Sequence, residues 1–159
     1  MKTLILCTSV SHGNTKRIAE AMAPILGSRI VPPEDIAPEE LADYDLVGFG
    51  SGIFTRSFHP ALRGFIEGLA QERGPLRRRS FVFATSGFAD AGPHRFFRPL
   101  VEALDQKGFE TVATFSCRGR DTFLPFKPFG GIRKAHPDAG DLERAQEFAQ
   151  RLREPAGGQ

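Results

Sequence analysis

Tryptophan is absent from the 159-residue chain, and tyrosine occurs once, at Tyr44. The two cysteines, Cys7 and Cys117, stand far apart, which excludes a disulfide framework and a cysteine metal cluster. The four histidines, His12, His59, His94 and His136, share no ligand-like spacing, so no metal site is expected. No apolar run is long enough to span a membrane. The short run after Met1 is too brief for a signal peptide, which leaves the cytoplasm as the default compartment. Charge of one sign is scarce too. The formal net charge is +2, and no aromatic-plus-basic RNA motif accompanies it, so no nucleic-acid partner is expected. What the chain has instead is 15 phenylalanines, several in glycine-rich turns where a core role is not obvious. With 40% hydrophobic and 25% charged residues, it reads as one globular domain over residues 1–153, followed by a frayed tail, 154–159.

Apolar runs divide the chain. Lys2 to Cys7 reads as a buried strand, and a helix follows from Asn14 or Thr15 with Ile18, Met22 and Ile25 near one face. Pro24 predicts a kink or a tightened last turn, with Gly27 closing the helix. Arg29-Ile30-Val31 is a brief second strand stopped by Pro32-Pro33, and Pro38 opens one or two helical turns. Asp45 to Gly50 is the third strand, and the helix from Pro60 places Leu62, Phe65, Ile66 and Leu69 on one face. Arg77-Arg78-Arg79 is a solvated rim or a docking patch. Ser80 to Ala84 is the fourth strand, and a helix from Pro93 turns Phe96, Phe97, Leu100, Val101 and Leu104 inward. Thr111 to Phe115 is the fifth strand. The last helix, Asp141 to Arg153, buries Leu142, Ala145, Phe148, Ala149 and Leu152. Strands alternating with helices predict an α/β fold with a parallel, doubly wound sheet covered on both faces.

The stretch Thr8-Ser9-Val10-Ser11-His12-Gly13-Asn14-Thr15 joins the first strand to the first helix. A helix start offers unsatisfied N–H groups and the positive end of the helix dipole, which suits a phosphate. Ser9, Ser11 and Thr15 add hydroxyl donors, and Gly13 permits close approach or a positive φ. An ordinary turn with Asn14 as N-cap explains the same octapeptide. Two further turns favour the ligand reading. Ser51-Gly52-Ile53-Phe54 follows the third strand, and Thr85-Ser86-Gly87-Phe88 follows the fourth. In a parallel sheet all three lie outside the carboxyl ends of the strands, where ligands bind.

Read together, these residues resemble the flavodoxin family over nearly the whole chain. Ser11-His12-Gly13-Asn14-Thr15 resembles the end of the family's phosphate loop, and the two later turns stand where its flavin-ring loops lie. The resemblance implies a three-layer, flavodoxin-like, doubly wound five-stranded parallel sheet of order 2-1-3-4-5. It implies FMN as cofactor, held by Ser9, Ser11, His12, Gly13, Asn14 and Thr15 at the phosphate. Ser51, Gly52, Ile53, Phe54, Thr85, Ser86, Gly87 and Phe88 are then expected along the ring. His12 stands where the family carries a hydroxyl. Phe54 and Phe88, with Ile53 as the aliphatic alternative, replace the family's usual Trp and Tyr beside the flavin.

The flavin carries the redox chemistry, so no catalytic residue of the protein is expected. The expected function is electron transfer between protein partners, and mild positive charge suits an acidic redox partner. The alternative is an FMN-dependent NAD(P)H oxidoreductase acting on quinones or another small acceptor. Arg56, His59, Arg95 and Arg118 follow the ring loops, and near the ring they would favour its reduced anion. The segment Cys117 to Lys134 follows the fifth strand, where it covers the flavin or offers a partner surface. Three other architectures are excluded. A phosphoacceptor domain needs carboxylates at the strand ends, a cysteine phosphatase needs Cys-x5-Arg, and a dinucleotide Rossmann domain needs GxGxxG after strand one.

Overall fold

Every residue of β1 (Thr3–Thr8) is buried, as only a strand covered on both faces can be. In the computed structural model, which describes residues 1–8, 13–54, 57–71, 77–86, 93–118 and 139–154, β1 lies inside a mainly parallel sheet. The elements that follow are α1 (Asn14–Leu26), β2 (Arg29–Val31), β3 (Leu46–Phe54), β4 (Ser57–Phe58) and α2 (Pro60–Glu67). After them come β5 (Arg78–Ser86), α3 (Pro93–Gln106), β6 (Phe109–Arg118) and α4 (Ala139–Arg153). The strand order is β2-β1-β3-β5-β6, and the two-residue β4 pairs antiparallel with the end of β3. With β4 set aside, this is the expected order 2-1-3-4-5.

Alternation along the strands sorts the core into two layers. Leu4 and Leu6, Val47 and Phe49, and Val82 and Ala84 face α2 and α3, joining Leu62, Ile66, Phe97, Leu100 and Leu104. Ile5, Cys7, Phe81 and Phe83 face the other way, onto Ile18, Ala19 and Met22 of α1 and Ala145, Phe148, Ala149 and Leu152 of α4. On this second face β3 carries no side chain at Gly48 or Gly50. The sheet register sets those glycines beside Phe81 and Phe83. A Cβ on either would overlap the neighbouring phenyl ring. The rings of Phe81 and Phe83 stack at 6.0 Å, and Phe148 meets Phe81 edge-on at 5.9 Å. Glycine on one strand and phenylalanine on the next therefore fill one layer together.

α1 runs through Pro24 to Leu26 and ends where expected. Gly27 takes φ 62° and returns its N–H to Ala23 O. The strands extend past their expected ends. Ser51–Phe54, Thr85–Ser86 and Cys117–Arg118 are strand residues, although their composition reads as turn. Parallel neighbours supply the ladder partners that local preference does not. The crossover from β2 to β3 holds no α-helix. Two short 3-10 segments, Pro33–Asp35 and Pro38–Asp43, make it, burying Ile36 and Leu41.

The arginine cluster is tied into the amino-terminal rim. Arg77 pairs with Asp105 and donates to the carbonyl of Phe109 at 3.1 Å, and Arg78 lies 4.6 Å over the Phe109 ring. Among the described residues, no helix is long and apolar enough to cross a membrane.

Candidate functional site

The sheet register brings the strand ends into line. Thr8 at the end of β1 pairs with Ser51 of β3, Gly52 pairs with Thr85 of β5, and Thr85 pairs with Cys117 of β6. Four segments far apart in sequence thus meet at one carboxyl edge. α1 begins at this edge. Gly13 precedes it with φ 65° and ψ 27°, a left-handed conformation, and supplies no side chain to cap the first turn. A Cβ there would meet nothing within 4 Å, so the backbone angle and not space calls for glycine. Asn14 is the first helical residue rather than the N-cap that an ordinary turn would make it.

Thr15 is buried, and its Oγ1 lies 2.7 Å from Thr85 Oγ1. This bond ties the first turn of α1 to the end of β5. A pair of hydroxyls spends one of its two O–H hydrogens on the bond, which leaves one to donate elsewhere. Ser51 is fully buried. Its Oγ donates to Gly52 O at 2.8 Å and accepts from the His59 N–H at 3.1 Å. That hydroxyl holds the β3–β4 segment against the start of α2. His59 caps α2: its Nδ1 accepts from the Ala61 N–H at 3.0 Å, which places the neutral ring's proton on Nε2. Thr8 Oγ1 is buried and has no hydrogen-bond partner among the described residues. Ile53 is half-buried and packs on the α2–α3 core.

Thr8, Thr15 and Thr85 are neutral hydroxyl residues, Ser51 having already given its O–H to Gly52, and among the described residues of this edge there is no carboxylate. Together with the glycine-led start of α1, that donor set fits a phosphate-bearing cofactor. Of the residues expected to hold one, Gly13, Asn14, Thr15, Ser51, Gly52, Ile53 and Thr85 are gathered along this edge. Phe54 and Ser86 are placed there by their backbones. Ser9, Ser11, His12, Gly87 and Phe88 lie outside the described residues, as does Arg56 and most of the Cys117 to Lys134 segment. Sequence reasoning passed over two features. The Thr15–Thr85 bond spans 70 positions and leaves no local signal. His59 did leave one, since a polar residue just before Pro60 is the pattern of an N-cap followed by proline at N1.

Cys7 sits under this edge, 7% exposed in the α1–α4 layer, where it packs as a small core residue. Burial pushes its thiol from 9.0 up to about 12, against a smaller opposing pull from Lys16. The unfolded thiol ionises near pH 9 and the folded one only near 12. The unfolded state therefore releases a proton first, and the contribution, whole below pH 9, is lost as pH rises from about 9 to 12. In a Cys117→Ser background, iodoacetamide at pH 8 is expected to leave Cys7 unmodified in native protein and to alkylate it in urea. Rapid native alkylation would contradict its burial.

Comparison with known proteins bears on this edge. The model of a flavodoxin domain matches residues 4–120. An uncharacterised protein of Methanocaldococcus jannaschii is 36% identical over 152 residues, covering 96% of this chain and 98% of that one. An archaeal flavodoxin structure superposes with a TM-score of 0.68 at 16% identity, covering 96% of each chain. Oxidised Flavodoxin 1 from Bacillus cereus does so with 0.66 at 17%, covering 93% of this chain and 95% of that one. At such identities the two structures show the fold alone.

Proposed function

Because the chain belongs to the flavodoxin domain family, we propose that it binds FMN at the carboxyl edge of the sheet and passes electrons between protein partners. The observation that carries this reading is the alignment of Thr8, Ser51, Gly52 and Thr85 in one register beside the left-handed Gly13. A hydroxyl edge with no carboxylate among its described residues, at a helix start, favours a phosphate. The backbone of Gly13, Asn14 and Thr15 would hold it, with the Thr15–Thr85 pair donating from below. Ile53 and the segments after β3 and β5 would flank the ring. When bound, FMN supplies one-electron chemistry at that ring. The protein then needs no acid, base or nucleophile. Its residues orient the ring, keep water from one side of it and set the local charge. A formal net charge of +2 suits an acidic partner.

Titration of cofactor-free protein with FMN tests the reading. One FMN per chain is expected, with quenched flavin fluorescence. The loaded protein alone is expected to exchange electrons with a chemical reductant without oxidising NAD(P)H in steady state. No spectral change at saturating FMN would overturn cofactor binding. Sustained NAD(P)H turnover would replace the carrier with an oxidoreductase.

A further inference from the structure

β3 parts from the sheet at Gly52. Its ladder with β5 ends where Gly52 meets Thr85. Beyond that point the described ladder of β3 is with β4, Ile53 opposite Phe58 and Phe54 opposite Ser57. Two such pairs do not hold a hairpin in place, since even a longer isolated hairpin is marginal in water. Yet this hairpin stands at the carboxyl edge of the sheet, directly after Gly52. Contacts outside its own ladder must fix it.

Three fastenings do so, and they lead to α2 and α3. At the root, Ser51 follows Val47 and Phe49 on the side facing α2. It is fully buried, its Oγ donates to Gly52 O at 2.8 Å, and it accepts from the His59 N–H at 3.1 Å. A serine hydroxyl has one hydrogen, and this one is spent on Gly52. None is left for a phosphate oxygen, and a fully buried hydroxyl offers no surface to a ligand. On the return strand, Arg63 Nε of α2 donates to Phe58 O at 2.9 Å. The Phe58 side chain is buried, its ring 5.7 Å from that of Phe97 in α3. His59 in turn caps α2 through Ala61, so the root of the hairpin is tied to a helix start that is itself held.

We propose that Ser51 is a positioning residue for the flavin ring: it fastens the β3–β4 hairpin to α2 before flavin arrives, and the ring meets a wall already in place. The inference rests on FMN binding at this edge. It moves Ser51 from the expected cofactor contacts to the residues behind them. A wall fixed in advance raises affinity because binding no longer has to order it. The effect falls on the ring and not on the phosphate. FMN and riboflavin carry the same ring and differ by the phosphate, so the pair of ligands separates the two roles.

The test is titration of FMN and riboflavin into flavin-free wild type, Ser51→Ala and Arg63→Ala. Ser51→Ala is expected to weaken both ligands by the same factor, about tenfold, the scale of a lost buried hydrogen bond. Arg63→Ala, at an exposed position, should weaken both by about threefold, as for a hydrogen bond nearer solvent. Gly13→Ala should do the reverse, weakening FMN and sparing riboflavin. Amide hydrogen exchange should find the His59 N–H protected in flavin-free wild type and released by Ser51→Ala. Should Ser51→Ala fail to fold, Arg63→Ala and the wild-type exchange decide the matter. A loss of FMN affinity alone in Ser51→Ala would make Ser51 a phosphate contact and overturn the proposal. So would absence of riboflavin binding to wild type at its solubility limit, or a His59 amide protected only once FMN is bound. If wild type does not bind FMN, the reading of the site falls and the inference with it. If wild type binds FMN and Ser51→Ala holds both flavins as tightly, the inference alone falls.

Discussion

Gly50→Val is expected to lower the unfolding free energy by about 3 kcal/mol, the upper part of the range for overpacking a tight core. Strand preference alone argues the opposite sign, since glycine weakens a strand relative to a residue with a side chain. The difference is decided by Phe83. Its ring occupies the space over Gly50 that a Cβ would take, and it is fully buried in the α1–α4 layer with Phe81 stacked beside it. Any shift of the ring must displace the side chains packed around it. Gly48→Val should behave alike through Phe81, which Phe148 also restrains. Urea unfolding followed by circular dichroism measures the effect as a lowered midpoint with an unchanged slope. A double variant, Gly50→Val with Phe83→Leu, should lose less than the sum of its parts, because the smaller side chain vacates the contested space. If Gly50→Val unfolds with the wild-type midpoint, the interlock between β3 and β5 is wrong.

Gly13→Ala is expected to weaken FMN binding roughly five- to thirtyfold, which corresponds to the 1–2 kcal/mol that the left-handed conformation costs an L-residue. Backbone angle is the cause. Gly13 has φ 65°, and a methyl group there would touch nothing. An alanine can relieve the strain only by turning the chain away from this conformation, which moves the start of α1 and its N–H groups. The loss should therefore appear in FMN affinity more than in the stability of the flavin-free protein. Gly13→Asn separates this from a steric effect. Asparagine is larger than alanine yet tolerates positive φ better, so it should bind FMN more tightly than the alanine variant. The reverse order, with asparagine the weaker, would show that bulk and not conformation governs the position.

The sheet and its helices were legible from Leu4-Ile5-Leu6, Val47-Gly48-Phe49 and Phe81-Val82-Phe83, because buried strands announce themselves as short apolar runs. The helix faces of α2 and α4 followed from spacing, and Gly27 marked its own helix end. Strand ends were harder. Ser51, Gly52 and Thr85 have the composition of a turn, and only their neighbours in the ladder make them strand. The arginine cluster at 77–79 left open a rim or a docking patch. Asp105 and Phe109, distant in sequence, tie Arg77 and Arg78 into the rim.

By itself the sequence determined the alternation of strand and helix, the three hydroxyl-and-glycine segments and the end of the sheet on which they fall. Those depend on local pattern and on the fixed hand of parallel crossovers. The tertiary structure decided how they are joined. It put Thr15 on Thr85, turned the Ser51 hydroxyl inward to Gly52 and His59, buried the Thr8 hydroxyl at the end of β1 and set Phe83 over Gly50. The reason is reach. Each of these contacts joins side chains or backbone from different elements, and pairings between elements leave no period in a one-dimensional string.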